Sequence, residues 1–168
     1  VIRGNNPGEM GDNLPAVDLG TGRTAVAVTA GQSHTCAILD TGDVKCWGAN
    51  DAGQLGNGAG GPNEYSAIPV DIPLGPSVGS LPLRAVSAGN LHTCAIDGSG
   101  DVRCWGYNGQ GQGGIDPTEA GFIFPSPQMP PSLIDFGADA KQVAAGGFHT
   151  CALLEAGTVR CWGWNGEG

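Results

Sequence analysis

Histidine and cysteine are the side chains of this chain best suited to chemistry, and they recur in one fixed arrangement. The tetrapeptide His-Thr-Cys-Ala occurs three times, and a second cysteine, within Cys-Trp-Gly, follows ten residues after each of these cysteines. A histidine could act as a metal ligand or a general base, and a cysteine as a nucleophile or a ligand. No serine or cysteine is placed with a partnering acid to suggest a catalytic triad. Because every unit repeats them, we interpret the histidines as buried structural residues bonded to nearby backbone: His34, His92 and His149.

The paired cysteines predict disulfide bonds across β-hairpins. Midway between the two cysteines of each unit lies a triplet that ends in glycine, at Gly42, Gly100 and Gly157. A three-residue hairpin loop whose last position takes a positive φ sets the two cysteines directly opposite each other. Opposed positions bring their Cβ atoms to roughly 4.5–5.5 Å, close to the separation that a disulfide requires. The predicted bridges are Cys36–Cys46, Cys94–Cys104 and Cys151–Cys161.

A zinc site and free thiols are the alternatives to disulfides. Zinc motifs usually place two ligands about two to four residues apart, and the chain contains no Cys-x-x-Cys. Three disulfides would indicate an oxidising compartment, such as the extracellular space, the periplasm or a secretory lumen, because cytosolic thiols stay reduced.

Two further strand-like runs accompany each hairpin. One lies directly before the hairpin and ends in Ala-Gly, where small residues would let neighbouring backbones approach closely. Another precedes that run, at residues 16–19, 70–72 and 134–136. Four short strands per unit with glycine turns are typical of a β-propeller blade, and no segment shows sustained helical periodicity. The motif advances 58 and then 57 residues, so the predicted fold class is all-β, with three blades of four short antiparallel strands.

The charge of the chain argues against anionic partners. Its 168 residues include 7 basic and 16 acidic side chains, which give a net charge of −9. Nucleic-acid binding relies on a basic surface that neutralises phosphates, so we expect no nucleic-acid partner. No run approaches the roughly 20 apolar residues of a membrane span, so we expect no membrane insertion. The absence of an initiator methionine and of a signal sequence favours a mature or excised piece of a longer precursor.

The repeated motif resembles that of a known family. Each unit contains Ala-Gly-x-x-His-Thr-Cys-Ala followed by Gly-x-Val-x-Cys-Trp-Gly, and the first unit continues with Asn50-x-x-Gly53-Gln54-Leu55-Gly56. Over nearly the whole chain this pattern closely resembles the repeat of the regulator of chromosome condensation family. The resemblance implies blades of a seven-bladed propeller. Cysteines that flank the hairpin resemble a variant found in large secreted or surface proteins of bacteria.

The chain differs from that family in size, because it holds three complete hairpins where the closed ring needs seven. We treat residues 1–168 as one repeat array with approximate units 1–56, 57–114 and 115–168, in which a neighbouring segment or chain could complete a blade, and which form a partial ring or part of a larger array. Residues 3–11 resemble the segment that follows Cys-Trp in a unit, with Arg3 in place of tryptophan, and the chain stops inside that same segment. The matching phase of the two ends favours either a longer array or copies that meet end to end in a head-to-tail filament.

Residues that differ between units are the candidates for contact with a partner. The tryptophan after each second cysteine is assigned to packing between blades: Trp47, Trp105 and Trp162. Two positions later the residue changes from Ala49 to Tyr107 to Trp164, which favours a solvent-facing position. The apolar insertions between units would either cap a blade edge or form a binding surface. We therefore expect partner contact at Tyr107, Trp164, Tyr65, Phe122 and Phe124.

The sequence contains no cofactor motif. The glycine-rich run 109–113 lacks the Lys-Ser/Thr of a phosphate loop. Asp and Asn near glycine, such as Asp12, Asn13, Asp51 and Asn57, could coordinate calcium, but turn chemistry explains them as well and no full calcium-loop spacing is present. We expect no cofactor and no metal, with calcium as the alternative.

These observations favour a non-catalytic, disulfide-stabilised propeller segment of a secreted or cell-surface protein that serves protein interaction or extracellular assembly. The alternatives are a secreted inhibitor or regulator of another protein, since the family includes inhibitors of β-lactamase, and a carbohydrate-binding module. The family also includes a nucleotide exchange factor, but that activity belongs to a reducing compartment where disulfides do not persist. We expect no enzyme, because the chain supplies no activated nucleophile and no paired acid and base.

Overall fold

The chain folds into three antiparallel sheets that follow one another in sequence. The computed structural model describes residues 5–72, 82–116, 123–124 and 133–166, and these are all-β apart from one 3-10 turn at Gly11–Asn13. The predicted fold class is confirmed. Across the described ranges, no helix has the length and apolar character needed to cross a membrane.

Each sheet is built around one of the predicted hairpins. The first sheet has the order β1 (Ala25–Ala30), β2 (His34–Leu39), β3 (Val44–Ala49) and β4 (Tyr65–Asp71). The second runs β5 (Ala85–Ala88), β6 (His92–Ile96) and β7 (Val102–Tyr107), with β8 (Ile123–Phe124) and β9 (Leu133–Ile134) both paired to β7. Within the described residues, the third contains β10 (Ala140–Ala145), β11 (His149–Leu154) and β12 (Val159–Gly163).

The hairpins have the predicted register. Cys36 lies opposite Cys46 across β2 and β3, and the other two cysteine pairs are opposed in the same way. The loop of the first hairpin closes where the Gly42 amide donates to the Leu39 carbonyl at 2.9 Å, and Gly42 has a φ of 84°. That backbone conformation is strained for a residue with a Cβ, which explains why each loop ends in glycine.

The outer strand of a blade comes from the chain that follows its hairpin. Val70 in β4 pairs with Cys46, and Ile134 in β9 pairs with Val102. The predicted runs at 70–72 and 134–136 therefore complete the preceding sheet, and the first sheet extends past residue 56. Residues 16–19, expected as a strand, form none. The free edge of each hairpin carries backbone groups that need partners, and the chain pairs with that edge before it crosses to the next sheet.

The apolar core lies between the sheets in two clusters. The first cluster joins the Cys36–Cys46 bridge, Ile38 and Val44 of the first sheet to Ala95 and Trp105 of the second. The second cluster repeats this pattern between the second and third sheets, with these members among others: Cys94, Cys104, Ile96, Val102, Val143 and Ala152. We call these contacts the first joint and the second joint.

The two faces of a sheet differ. The front face meets the next sheet along the chain and carries the disulfide. The rear face meets the preceding sheet and carries the tryptophan that follows the second cysteine. Three sheets with two joints leave the rear face of the first sheet and the front face of the third without a neighbouring sheet among the described residues.

Candidate interaction surfaces

All six cysteines form the three predicted bridges, and no cysteine is free. The first two bridges are sealed inside the joints, where Cys36, Cys46 and Cys94 are 0% exposed and Cys104 is 2% exposed. The third bridge lies on the front face of the third sheet, and its Cys161 is exposed. Bridges at equivalent positions therefore lie in the core in two units and at the surface in the third.

A hydrogen-bond network crosses the first joint. Nε2 of His34 lies 2.8 Å from the hydroxyl oxygen of Thr93, and this hydroxyl donates to the carbonyl of Gln54 at 2.8 Å. The hydroxyl proton is committed to Gln54, so His34 is the donor and carries its proton on Nε2. The indole Nε1 of Trp105 donates to the same Gln54 carbonyl at 3.0 Å. The first unit thus supplies both a donor, His34 Nε2, and an acceptor, the Gln54 carbonyl, to residues of the second sheet.

The second joint has the same network one unit later. His92 Nε2 lies 2.9 Å from the Thr150 hydroxyl, which donates to the Gln112 carbonyl at 3.0 Å. Trp162 Nε1 also donates to that carbonyl, at 2.9 Å. Two independent copies of one arrangement indicate that His, Thr, Gln and Trp of the motif are joint residues.

Burial keeps the joint histidines neutral. It lowers the pKa of His34 to about 4 and that of His92 to about 4, because a charged imidazolium would lose its hydration inside the joint. Nδ1 of each ring is buried without a hydrogen-bond partner in the described part of the chain. Since Nε2 is engaged with a threonine, neither ring is open to a substrate.

The histidines differ from expectation in two respects. Their partner is a threonine hydroxyl of the next sheet rather than nearby backbone, which the local motif does not reveal. His149, expected to be buried, is exposed, because its front face has no following sheet among the described residues.

The Ala-Gly pair before each hairpin allows close approach of backbones at the joint. The Gln32 amide donates to the Gly89 carbonyl at 3.2 Å, and the Asn90 amide donates to the Gly146 carbonyl at 3.2 Å. A Cβ at Gly31 would overlap both the Gly89 carbonyl oxygen and the ring of His34. Glycine is therefore required there for the histidine and the next sheet to fit together.

The predicted partner-contact residues occupy separate elements. Tyr65 in β4 is 74% exposed, and Trp164, directly after β12, is 46% exposed. Tyr107 at the end of β7 is half-buried. Phe124 belongs to β8, and Phe122 lies outside the described residues. Their roles in binding stay predictions.

Tyr107 and Trp164 share a local geometry. Each ring lies against the glycine two residues later, and a Cβ at Gly109 or Gly166 would overlap it. The two aromatic residues are therefore held against the backbone of the loop after their strand.

The residues considered for calcium are engaged in turns. Asp51 accepts a hydrogen bond from the Asn63 amide at 2.9 Å, and the Asn57 side-chain oxygen accepts one from the Ala59 amide at 3.1 Å. Across the described ranges, no group of three or more His, Cys, Asp or Glu side chains could hold a metal ion. The expectation on cofactors and calcium stays a prediction.

Each outer face exposes a valine that is buried in the joints, although Ala37 and Leu39 on the rear face of the first sheet are 1% and 2% exposed. On the rear face of the first sheet, Val28 is 69% exposed, whereas the equivalent Val143 at the second joint is 6% exposed. On the front face of the third sheet, Val159 is 61% exposed, whereas Val44 and Val102 are 1% and 0% exposed. A depression of about 540 Å³ adjoins this front face, lined by His149, Cys151, Cys161, Trp162, Gly163, Trp164 and Asn165.

Comparison with known proteins identifies relatives of the repeats. Two models of the Regulator of chromosome condensation (RCC1) repeat match, one over residues 25–54, 83–112 and 140–168, the other over 41–96 and 99–153. The chain is 32% identical over 157 residues to the ultraviolet-B receptor UVR8 of Arabidopsis thaliana, covering 92% of the chain and 32% of the receptor. It is 34% identical over 169 residues to the probable E3 ubiquitin-protein ligase HERC6 of Homo sapiens, covering 99% of the chain and 15% of that protein.

Solved structures share the fold. The crystal structure of Prp20p from Saccharomyces cerevisiae, reported together with its binding properties to Gsp1p and histones, superposes with a TM-score of 0.72 at 21% identity. The match covers 83% of this chain and 33% of Prp20p. The chain thus spans about a third or less of the length of these relatives.

Proposed function

The chain belongs to the regulator of chromosome condensation (RCC1) repeat family, and from that premise we propose that it is a non-catalytic propeller segment of a secreted or cell-surface protein, serving protein interaction or extracellular assembly. One observation carries this proposal. All six cysteines and two of the three histidines are committed to architecture, as bridges and as joint donors. Because the residues best suited to chemistry hold the blades together, the role that we propose for the chain is binding of a partner at its surface.

The disulfides support an oxidising compartment. Two bridges are buried in the joints, and each closes a hairpin with a sequence separation of 10 residues. Such bridges form and persist outside the cell or in secretory compartments, and the reducing cytosol opposes them. Secretion or display at the cell surface follows from that chemistry as the proposed location.

Protein interaction is also the role that fits the relatives. Prp20p was described with its binding to Gsp1p and histones, so a propeller of this fold can present protein-binding surfaces. The ligase activity named for HERC6 is not carried over, since this chain matches 15% of that protein. We propose protein partners, or other copies of this chain in a filament, for the present repeats.

The test compares the chain exported to an oxidising compartment with the chain produced in a reducing cytosol. Peptide mapping without reductant should find the three within-hairpin bridges in the exported protein, and its thermal midpoint should exceed that of the cytosolic protein. Six unmodified thiols, or equal midpoints for both preparations, would contradict the proposed compartment. For the interaction role, the exported protein and the Trp164→Ala variant are immobilised against secreted proteins of the same source. Specific retention that the variant weakens supports it, and no retention counts against it.

A carbohydrate-binding module is the second candidate. The exposed Trp164 beside the depression at His149 and Trp162 favours it, because an open aromatic surface suits sugar rings. A glycan array tests this: a signal that is lost in the Trp164→Ala variant and kept in Tyr65→Ala would establish sugar binding. A secreted inhibitor or regulator would instead be found by retention of secreted hydrolases.

A further inference from the structure

We propose that Asn57 and Gly58 form a self-modifying site, at which the Asn57 side chain loses ammonia and becomes aspartate or isoaspartate. Asparagine is followed by glycine at three places, Asn57, Asn108 and Asn165. Because glycine has no side chain, its backbone nitrogen is little hindered in approaching the side-chain carbonyl carbon of the preceding asparagine. The first two pairs lie in the loops that follow β3 and β7, and their surroundings differ in the features that control this reaction.

The reaction needs water as its one co-reactant. The Gly58 amide nitrogen gives its proton to solvent and bonds to Cγ of Asn57, the Cγ–Nδ2 bond breaks, and Nδ2 takes up a proton and leaves as ammonia. The product is a cyclic imide. Water then opens the ring at either carbonyl and gives aspartate with the ordinary backbone, or isoaspartate, whose main chain runs through the side chain. No electron is transferred, and either product carries a negative charge that asparagine lacks.

The side chain of Asn57 is held in a way that favours the attack. Its Oδ1 accepts hydrogen bonds from Nδ2 of Asn50 at 3.2 Å and from the Ala59 amide at 3.1 Å. Two donors on this oxygen draw electron density from Cγ and stabilise the negative charge that develops on Oδ1 as the nitrogen adds. The leaving group, Nδ2 of Asn57, makes no hydrogen bond to the described part of the chain.

The attacking nitrogen of Gly58 is unhindered as well. Gly58 is exposed, and a Cβ built on it would meet no atom within 4 Å. Across the residues that the structure describes, the Gly58 amide has no hydrogen-bond acceptor. The nitrogen can therefore move toward Cγ of Asn57 without breaking a hydrogen bond or displacing a neighbour.

Asn108 places the same dipeptide in the opposite environment. Its side chain is 0% exposed, its Nδ2 donates to the Ile115 carbonyl at 3.0 Å, and its Oδ1 accepts from the Gly113 amide at 2.7 Å. The ring of Tyr107 also lies against Gly109. Loss of ammonia at Asn108 requires that the buried bond of the leaving group be broken first. Folding should therefore protect Asn108 and leave Asn57 reactive.

Modification at Asn57 has a route to the first joint through Asn50. Asn50 is 2% exposed, its Nδ2 donates to the Ala59 carbonyl at 3.1 Å, and its Oδ1 accepts at 3.0 Å from the amide of Leu55 in the first cluster. Its own amide donates at 2.9 Å to the carbonyl directly before Tyr65. Isoaspartate adds a methylene group to the main chain just before Gly58 and so displaces the Ala59 carbonyl. Ageing should loosen both the first joint and the loop that presents Tyr65.

Timed peptide mapping tests the site on the full chain. The oxidised, folded chain is kept in mildly alkaline buffer, and the reduced and alkylated chain in guanidinium chloride is the unfolded reference. Mass spectrometry follows the replacement of the amide by a hydroxyl at Asn57 and Asn108, and electron-transfer fragmentation identifies isoaspartate. The two sites should react at similar rates when unfolded. In the folded chain Asn57 should react faster than Asn108 by at least about tenfold, because buried hydrogen bonds must break at Asn108.

Asn57→Gln is the matched control, because it keeps the amide but would have to close a larger and less favourable ring. Ageing should lower the thermal midpoint of the parent chain and leave that of Asn57→Gln unchanged, and circular dichroism of the fresh proteins checks that both fold. An Asn57 that keeps its amide as long as Asn108 in the folded chain would overturn the proposal. A rate ratio that is the same in the folded and unfolded chains would also overturn it. An equal fall in the midpoint of Asn57→Gln would refute the route to the first joint.

Discussion

The second joint and the front face of the third sheet are built from the same residue types and have opposite environments. At the joint, the Cys94–Cys104 bridge, His92 and Val102 are sealed from solvent. On the front face of the third sheet, the equivalent Cys161, His149 and Val159 are exposed. The comparison teaches that the burial of these three residue types is decided by the neighbouring sheet and not by the motif.

The same comparison explains why the histidine and the disulfide of the motif have different environments in different units. Inside a joint, the histidine proton is committed to the threonine of the next sheet, and the disulfide is core. Without a next sheet, both groups face solvent. The largest consequence should appear in the response of stability to acid.

Acid should destabilise the joints through His34 and His92. Both have a pKa of about 4 in the folded chain against 6.5 when unfolded, so above pH 6.5 both states are neutral and the stability is complete. As pH falls from 6.5 to 4, the unfolded chain binds protons that the folded chain does not. The free energy of unfolding should fall by about 3 kcal/mol for each histidine over that window. Urea unfolding at a series of pH values measures this loss.

His149→Gln is the control for the acid response. It removes the exposed histidine but leaves burial, the largest cause of the lowered pKa of His92, in place, so most of the loss between pH 6.5 and 4 should remain. A stability that is flat over this window, or a loss that vanishes in His149→Gln, would contradict the role assigned to the joint histidines.

Removing a bridge should cost more at the joint than on the front face of the third sheet. The Cys94–Cys104 and Cys151–Cys161 bridges have the same sequence separation of 10, so each contributes roughly 2–3 kcal/mol by restricting the unfolded chain. The double alanine variant at Cys94 and Cys104 also leaves a void in the second cluster, which adds about 1–2 kcal/mol. Urea unfolding of both double variants compares the two costs. Equal costs would show that the joint is not packed around its bridge.

Thr150→Val should have a smaller effect that is still specific to the joint. It removes the acceptor for His92 Nε2, and leaving this buried N–H unpaired costs about 1–3 kcal/mol, whereas the Gln112 carbonyl keeps its hydrogen bond from Trp162 Nε1. Thr35→Val makes the same change on the rear face of the first sheet and should alter stability by less than about 0.5 kcal/mol. The two thermal midpoints check this difference, and a larger loss for Thr35→Val would reverse the comparison.

The hairpins could be predicted from sequence because their information is local. The glycine of the loop and the spacing from Cys36 to Cys46 set the register within eleven residues. The joint network could not be predicted in this way, because Thr93 lies 59 residues from His34 and Gln54 contributes only its backbone carbonyl. A signal was nevertheless present: threonine follows histidine in every unit, so each unit carries a donor for one joint and an acceptor for the other.

The hairpin that each outer strand joins could not be predicted from sequence for a related reason. The runs at 70–72 and 134–136 are strand-like, but composition does not reveal which hairpin edge a strand will join. Pairing with the preceding hairpin provides hydrogen-bond partners for the edge of β3 and of β7, and it determines where each sheet ends.

Differential alkylation of the oxidised chain tests most directly the claim that neighbouring sheets decide burial. Thiol exchange requires that the attacking thiolate reach a sulfur atom, so access controls the rate. At low micromolar protein, limited dithiothreitol followed by N-ethylmaleimide and peptide mass spectrometry should label Cys151 and Cys161 first, with Cys36, Cys46, Cys94 and Cys104 protected until the chain unfolds. Labelling of all six cysteines at one rate would contradict the account.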